Sequence, residues 1–343
     1  MKNSLITVRL LICVLLAGGM SAPAAYGQYP TFGKLIFQEP EMKNLLDENA
    51  VIEVLAGGFV WTEGPVWLEK NQALLFSDVP KNTIFQWKEK EGVTVFLKPS
   101  GYTGLGEYSH EPGSNGLTID PQGNLIACEH GDRRISSMSL EKGGKRTLSD
   151  SYRGKRLNSP NDVAIHPVSG EVYFTDPPYG LAKNADDPTR EQPHFGVYRI
   201  RKNGETELLV SDLTRPNGIA FSPDGKTLYV AVSDPQRAHI MAYPVQADGT
   251  TGPGKILYDA TPLVRQGLPG LPDGLKLDRQ GNIWTTGPGG VLILNAQGKL
   301  LGRIDTGRPT ANCAWGEDGT VLYITAQNYL CRIKTRTKGA GWK

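Results

Sequence analysis

Short apolar runs, separated by polar turns that contain glycine, recur along most of this chain. In each copy a polar residue, usually followed by Gly, opens an apolar run. A polar turn and a second, β-rich run follow. The clearest copy, N-G-I-A-F-S-P-D-G-K-T-L-Y-V-A-V, begins at Asn217. The pattern predicts two strands joined by a tight turn in every copy. The copies begin at Glu63, Asn115, Asn161, Asn217, Asp273 and Asn312.

The repeat period indicates how these strands are arranged. Successive copies begin roughly 40–55 residues apart, a period typical of four-stranded propeller blades. Strand-like runs at 84–87, 197–201 and 240–244 supply further strands between the copies. No segment has the sustained apolar spacing of a helix, and only residues 41–49 could form a short one. We therefore expect an all-β fold, a six-bladed β-propeller with four-stranded blades.

The two ends of the repeat region predict how the ring closes. The last copy supplies strands at 321–325 and 329–334, which leaves its blade one strand short. The run 51–56 precedes the first copy and alternates in the manner of a strand. We expect this N-terminal strand to complete the sixth blade and to cover both free edges.

The first residues are typical of a secretory signal peptide. Lys2 and Arg9 accompany an apolar run, and small residues up to Gly27 offer a cleavage site. The run is too short for a comfortable membrane span, although an uncleaved anchor is the alternative. We expect a periplasmic or secreted protein with a signal peptide at 1–27, an N-terminal extension at 28–50 and the propeller at 51–343.

Composition agrees with a turn-rich fold and excludes some partners. The chain has 41 Gly and 24 Pro among 343 residues, as short strands joined by many turns require. The net charge is +2 and the charged residues are interspersed, so neither nucleic acid nor a membrane surface is indicated. We expect a small-molecule substrate and a monomer or weak homo-oligomer.

Three cysteines follow the expected cleavage site, namely Cys128, Cys313 and Cys331. An odd number is not a disulfide framework. Cys313 and Cys331 lie in the same copy, so a bond between them is one interpretation and buried free thiols are the other.

The residues that open the six copies predict a metal site. The innermost strand of each blade lines the channel of a propeller, so equivalent positions meet around one axis. All six residues carry a side-chain oxygen, which suits Ca²⁺, with Zn²⁺, Mn²⁺ or Mg²⁺ as substitutes. Asn-Gly is also a turn-forming pair. However, Glu63 gains nothing in a tight turn, and two acids near one axis would repel each other without a cation.

At these residues the chain resembles the senescence-marker-protein/gluconolactonase/luciferin-regenerating-like family of six-bladed propellers, over nearly all of the expected mature chain. The segment F-T-D-P-P-Y-G, which ends at Gly180, resembles the bacterial gluconolactonase-like branch. The motifs that carry the resemblance are W-T-E-G-P-V-W around Glu63, N-S-P-N-D-V around Asn161, R-P-N-G-I-A around Asn217 and L-P-D-G-L around Asp273.

The resemblance implies a calcium-dependent lactonase or a related hydrolase, such as the diisopropylfluorophosphatase-like enzymes. Glu63, Asn161, Asn217 and Asp273 match the family's metal positions, and Asp273 also matches the position with the proton-transfer role. Some sugar-lactone members carry an Arg two residues before the Asn that Asn161 matches, whereas this chain has Ser159. This departure bears on sugar specificity rather than on the metal centre.

The chemistry expected at such a centre needs a base. A cation polarises a carbonyl and holds a water, and Asp273 is the candidate that removes the proton of that water. Candidate substrate contacts are His110 in the Gly-rich loop 101–113, Asn115, His130 and Tyr179. A solvent-exposed histidine is the alternative for His110, and a surface salt bridge is the alternative for the segment around Glu129 and His130.

Two other functions stay open. The chain lacks G-x-S-x-G, H-E-x-x-H and P-loop motifs, so serine hydrolases, zincins and nucleotide hydrolases lack their signatures here. The alternatives are a non-catalytic binding propeller with a structural calcium and a different metal-dependent reaction on a sugar derivative.

Overall fold

The computed structural model describes residues 29–342, and nearly all of its regular structure is β. Three strands precede the first blade: β1 (Thr31–Phe32), β2 (Lys34–Phe37) and β3 (Ile52–Gly57). Blade 1 consists of β4 (Thr62–Leu68), β5 (Ala73–Asp78), β6 (Thr83–Lys88) and β7 (Gly92–Leu97). Blade 2 consists of β8 (Ser114–Ile119), β9 (Asn124–Glu129), β10 (Arg134–Ser139) and β11 (Gly143–Ser149).

A small hairpin, β12 (Ser151–Tyr152) and β13 (Lys155–Arg156), leads to blade 3. Blade 3 consists of β14 (Val163–Ile165), β15 (Val172–Asp176), β16 (Gly196–Ile200) and β17 (Thr206–Val210). Blade 4 consists of β18 (Pro216–Phe221), β19 (Thr227–Val232), β20 (His239–Pro244) and β21 (Lys255–Asp259). Blade 5 consists of β22 (Leu275–Leu277), β23 (Ile283–Gly287), β24 (Gly290–Leu294) and β25 (Leu300–Asp305). Blade 6 contains β26 (Asn312–Gly316), β27 (Val321–Ala326) and β28 (Tyr329–Lys334).

All six blades are antiparallel meanders, and the ring closes as the sequence predicts. β3 pairs with β28, with Tyr329 opposite Gly57 and Cys331 opposite Val54, so the N-terminal strand completes blade 6. The six-bladed propeller and its N-terminal closure are therefore confirmed. The segment before β3 also joins the ring, since β1 extends blade 6 and β2 pairs with β25 of blade 5. The expected signal peptide lies outside the described residues.

Helical structure is sparse. The described part of the chain has one short α-helix, α1 (Thr261–Arg265), and the 3₁₀ turns Pro40–Asn44, Glu69–Asn71 and Asn184–Asp186. The first of these lies in the stretch where a short helix was predicted, and it buries Met42 against blades 5 and 6. No helix in residues 29–342 is long and apolar enough to span a bilayer.

The turns predicted inside the copies form as their residues require. Gly225, Gly281 and Gly319 all have positive φ, which glycine adopts without steric cost. The aspartates before two of them fix the turn, because Asp224 and Asp318 each accept a backbone N–H two residues on, at 3.1 Å.

Apolar clusters between neighbouring blades hold the ring together. Strands such as β19 read T-L-Y-V-A-V because each blade packs a neighbour on both faces, so both sets of alternating side chains are buried. Trp284 of blade 5 meets Trp315 of blade 6 edge to face, with ring centroids 5.1 Å apart. Replacing either tryptophan with alanine would lower the free energy of unfolding by about 3–5 kcal/mol.

The cysteines are free thiols. Cys128, Cys313 and Cys331 are all buried and unpaired. Ile324 of β27 lies between Cys313 and Cys331 in the sheet register, so two strand spacings, about 10 Å, separate them. A disulfide requires roughly half that distance, and the pairing of Cys313 with Cys331 is therefore wrong for this fold.

Candidate functional site

The innermost strands meet around one axis and bring the six opening residues of the copies together. Each of β4, β8, β14, β18, β22 and β26 contacts the next, and β26 returns to β4. Backbone hydrogen bonds join the blades there: Gly116 N–H donates to Asn161 O at 2.7 Å, and Gly274 N–H donates to Ala311 O at 2.8 Å. The ring of oxygen-bearing residues predicted from the repeat is thus formed.

Glycine at the second position of the copies makes this approach possible. A Cβ on Gly64 would overlap the carbonyl oxygen of Asn115, and a Cβ on Gly218 would overlap that of Asp273. Gly64 also has positive φ, +50°. In the four copies that have it, the polar-Gly pair therefore lets the inner strand lie close to the next blade.

Burial separates one member of the ring from the rest. Five of the six are at most 5% exposed, whereas Asp273 is only partly buried. Asp273 is therefore the ring residue that a molecule entering from solvent reaches. The five buried members are Glu63, Asn115, Asn161, Asn217 and Asn312.

Asn312 uses its side chain to hold Glu63. Its Nδ2 donates to Glu63 Oε2 at 3.3 Å, and its Oδ1 accepts from the Cys313 N–H at 2.9 Å and from Lys276 Nζ at 3.4 Å. Glu63 Oε2 also accepts the Gly64 N–H at 2.9 Å. Since the Asn312 oxygen is engaged, this residue orients Glu63, and Lys276 fixes the orientation of its amide.

Asn217 is oriented in a similar way. Its Nδ2 donates to Ser233 Oγ at 3.0 Å, and that hydroxyl donates in turn to Pro272 O. The carboxamide oxygen of Asn217 is thereby turned away from Ser233. A serine directly after the second strand of blade 4 thus orients the carboxamide of a residue on the first strand.

Several polar atoms near the axis are buried without a hydrogen-bond partner. Native proteins rarely leave such atoms unpaired unless a ligand, ion or water completes them. Four belong to residues that the sequence analysis named as ligands or contacts: Asn115 Oδ1, Asp273 Oδ1, His130 Nε2 and Tyr179 Oη.

The carboxyl groups of the ring repel one another. Burial, together with the charge of Asp162, raises the pKa of Glu63 to about 8. Burial and then the Glu63 charge raise the pKa of Asp273 well above its ordinary value. Burial also raises the pKa of Asp162, which replaces the glycine of the third copy. A cation among these groups would allow both Glu63 and Asp273 to ionise.

The donor chemistry fits a hard cation. The ring offers two carboxylates and several carboxamide oxygens, and no histidine or cysteine donor stands at the ring position. Within residues 29–342, no three His, Cys, Asp or Glu side chains converge as a metal cluster. A site here would therefore depend on carboxamide oxygens, as the ligand set of Glu63, Asn161, Asn217 and Asp273 does. That set stays a prediction.

His130 and Glu111 lie beside the ring. His130 is fully buried, its Nδ1 is 3.2 Å from Glu111 O, and burial lowers its pKa to about 4. Burial raises the pKa of Glu111 to about 7. Although His130 Nδ1 and Glu111 Oε2 are 3.9 Å apart, both groups favour their neutral forms. The pair is therefore a polar contact rather than an ion pair.

Tyr179 lies near Asp273, the ring acid that is only partly buried. Burial and the charge of Asp273 raise the pKa of its hydroxyl, while interactions with Ser233 and Asn217 oppose the shift. The following residue, Gly180, packs against His130, where a Cβ would overlap the imidazole. Tyr179 and His130 are thus brought to the same side of the ring as Asp273.

Among the residues that the structure describes, the others predicted to contact the substrate show no contact with the ring. His110 is exposed on the loop 101–113, in agreement with the alternative interpretation. Glu129 does form ion pairs, 2.6 Å from Arg134 Nε and 2.6 Å from Lys145 Nζ, but its side chain is fully buried rather than at the surface. Asp162, Glu111 and Lys276 were missed. The N-D that replaces N-G in the third copy is a signal that could have pointed to Asp162.

Comparison with known proteins identifies the family to which this chain belongs. Residues 61–328 match the family model described as SMP-30/gluconolactonase/LRE-like region. A gluconolactonase of Zymomonas mobilis is 39% identical over 315 residues, which cover 90% of this chain and 88% of that protein. A solved gluconolactonase structure from Xanthomonas campestris, at 30% identity, has a TM-score of 0.76 and covers 92% of this chain and 99% of that chain. The calcium-binding protein regucalcin of Agrobacterium tumefaciens, at 20% identity, shares the fold with a TM-score of 0.63 over 84% of this chain and 94% of that chain.

Proposed function

This chain belongs to the SMP-30/gluconolactonase/LRE-like family, and we propose that it hydrolyses a sugar lactone with the help of a bound calcium ion. Lactone hydrolysis itself is supported by the two gluconolactonases to which the chain is similar. The observation that carries the finer proposal is the ring around the axis. It combines a partly exposed acid, Asp273, with buried oxygen atoms that have no partner.

The proposed ion is held by Glu63, Asn161, Asn217 and Asp273. When bound, calcium would polarise the lactone carbonyl and stabilise the negative charge that develops on its oxygen. The supports for this assignment are the hard oxygen donors, the mutual repulsion of Glu63 and Asp273, and the unpaired Asp273 Oδ1. Asn312 donates a hydrogen bond to Glu63, and Lys276 donates to the Asn312 oxygen, which is therefore not among the proposed calcium ligands.

Asp273 carries the proton transfer. Its carboxylate accepts a proton from the water whose oxygen attacks the carbonyl carbon of the lactone. The bond from this carbon to the ring oxygen then breaks, and Asp273 returns the proton to the departing alkoxide. The product is the open hydroxy acid, so one water is consumed and the Asp273 carboxylate is regenerated.

Tyr179 and His130 orient the substrate. The raised pKa of Tyr179 keeps its hydroxyl protonated, so the hydroxyl donates to a substrate oxygen next to Asp273. His130 is neutral, and its unpaired Nε2 offers one further polar contact. The His130 side chain packs against Gly180, the residue that follows Tyr179, so one short backbone segment positions both contacts.

The experiment is a panel of sugar and aliphatic lactones, assayed by the release of acid after metal removal and again after metals are added back. We expect hydrolysis of glucono-1,5-lactone, loss of activity with a chelator, and recovery with Ca²⁺ that exceeds recovery with Zn²⁺, Mn²⁺ or Mg²⁺.

Two outcomes would contradict the proposal. Activity that survives complete metal removal would exclude the calcium mechanism. If no lactone is opened while calcium still raises the melting temperature, the protein is a binding propeller with a structural ion.

We also propose that the protein works in the periplasm or outside the cell. The support is the signal-peptide pattern of residues 1–27. N-terminal sequencing of the protein recovered from cell fractions tests this. A mature chain that begins at Gln28 is expected, and an uncleaved chain confined to the cytoplasm would contradict the proposal.

A further inference from the structure

Three successive copies share a sequence pattern immediately before the ring residue. A residue X and a proline precede the ring residue in each of them. Proline restricts the residue before it to an extended conformation, so the three X residues occupy equivalent positions in neighbouring blades. The tripeptides are Ser159-Pro160-Asn161, Arg215-Pro216-Asn217 and Leu271-Pro272-Asp273.

The three equivalent side chains differ in what they contact. Ser159 is fully buried, and its Oγ donates to Pro177 O at 2.6 Å and accepts the Gly180 N–H at 2.9 Å. Leu271 packs against the apolar cluster that contains Leu292. Arg215 is exposed, and its guanidinium forms no hydrogen bond, ion pair or ring contact with any other residue in the range 29–342.

The position of Arg215 relative to the ring follows from its place two residues before Asn217 and from its backbone contact with Ser233. The Arg215 charge acts on the Tyr179 hydroxyl, as does the Asp273 carboxylate with the opposite sign. The backbone holds Arg215 in place, because its carbonyl accepts the Ser233 N–H at 3.0 Å and Ser233 contacts Asn217. An exposed guanidinium without a protein partner thus lies two residues before the ring, and the charges that raise the pKa of Asp273 are those of the acids Glu63, Asp162 and Glu111.

We propose that Arg215 is a substrate-binding residue that selects polyhydroxylated lactones. Its guanidinium presents several N–H donors in a rigid fork, which matches two neighbouring hydroxyl oxygens of a sugar ring. Asp273 acts on the lactone carbonyl, and Arg215 holds the hydroxyl-bearing part of the same molecule from the neighbouring blade. This inference rests on the proposed lactonase function and names its substrate class.

The test compares two lactones in one variant. We expect Arg215→Met to lower kcat/KM for glucono-1,5-lactone about 10- to 100-fold, mainly through KM, because charge-assisted hydrogen bonds to hydroxyls are lost. Hydrolysis of δ-valerolactone, which lacks hydroxyl groups, should fall by no more than about threefold on the same reasoning. Arg215→Lys, which keeps the charge without the fork, should lie between Arg215→Met and the unaltered protein.

Two controls make the result specific. Arg146→Met alters an exposed arginine on β11, the outermost strand of blade 2. It should leave kcat/KM unchanged for both lactones. Calorimetric titration with Ca²⁺ should give the same affinity for Arg215→Met as for the unaltered protein, since Arg215 offers no ligand atom to a cation.

Gluconate binding separates this inference from the proposed function. We expect the affinity for gluconate, measured by calorimetry, to fall at least about tenfold in Arg215→Met, whether or not the protein turns over lactones. Equal losses on both lactones, or unchanged gluconate affinity, would overturn the role of Arg215. A protein that hydrolyses no lactone but loses gluconate binding in the variant would disprove the lactonase and retain the subsite.

Discussion

The ring around the channel and the seam of blade 6, where β3 pairs with β28, both bury charged groups. They differ in whether those groups have partners within the protein. At the seam, Arg332 donates to Glu53 at 2.7 Å and also to Glu89 and Glu317. On the axis, Asp273 and Asn115 keep buried oxygen atoms without partners. A charge network that is satisfied stabilises the fold, whereas unpaired polar atoms are stable only when a ligand completes them. The seam is therefore built for stability and the ring for binding.

Removal of the seam strand should have the largest effect. A chain that lacks residues 29–57 loses β3 and leaves β28 with an open edge. We expect no cooperative thermal transition by circular dichroism. A chain that lacks only residues 29–38 loses β1 and β2 but keeps β3, and should still fold with a lower melting temperature. An unchanged melting temperature after loss of β3 would contradict the closure.

A change at the ring should leave the fold intact and remove the chemistry. Asp273→Asn keeps the shape of the side chain but cannot accept the proton, so kcat should fall about 10²- to 10⁴-fold. The matched control is Asp224→Asn, in an exposed turn of the fourth copy, which should keep full activity. Circular dichroism and the melting temperature verify the fold. Activity within tenfold of the unaltered protein would exclude Asp273 as the base.

The pH dependence of stability should also distinguish the two regions. Burial raises the pKa of Glu63 from its ordinary 4.5 to about 8. For an acid whose pKa is higher in the folded state, the stability contribution is complete below the ordinary pKa and is lost as the pH rises through the folded pKa. The metal-free protein should therefore melt at lower temperature as the pH rises from about 5 to about 8.

Calcium should remove most of this loss, because it favours the ionised carboxylates. The gain in melting temperature on adding Ca²⁺ should be larger near pH 8 than near pH 5, and Glu63→Gln should reduce the difference. A calcium effect that is independent of pH would argue against a carboxylate pair on the axis.

The smallest effect concerns the support behind Glu63. Lys276→Met removes one of the two donors that hold the Asn312 oxygen. We expect calcium affinity to fall by about tenfold or less, with little change in stability. Lys299→Met, at an exposed ion pair with Glu39, is the control and should leave the affinity unchanged. If both variants bind calcium equally well, Lys276 has no positioning role.

The repeat was sufficient to predict the fold, because every copy contains its own turn, two strands and one axial residue. It also predicted that β3 completes blade 6, since one strand was missing there. The joining of β1 and β2 to blades 6 and 5 could not be predicted, because these strands are two and four residues long and lie outside the repeat.

The repeat identified the ring residues as candidates, and strand ends identified His130 and Tyr179, whereas residues with neither signal were missed. Glu111 comes from a loop, and Lys276 lies three residues after a ring position, where the repeat gives no signal. The difference between Asn115 and Asn312 was also not predictable. Both occupy the same position of the repeat, and only the hydrogen bonds show that one oxygen is engaged and the other is not.

The pairing of β3 with β28 also has a kinetic consequence. β3 leaves the ribosome early, and its partner is made last, so the nascent chain carries an unpaired strand edge until β28 has formed. Glu63 of blade 1 and Asp273 of blade 5 are separated only by blade 6. They therefore lie on either side of blade 6 only after that blade is in place. We therefore expect the centre to be completed late in synthesis, so the onset of the proposed calcium binding would report completion of folding in real time.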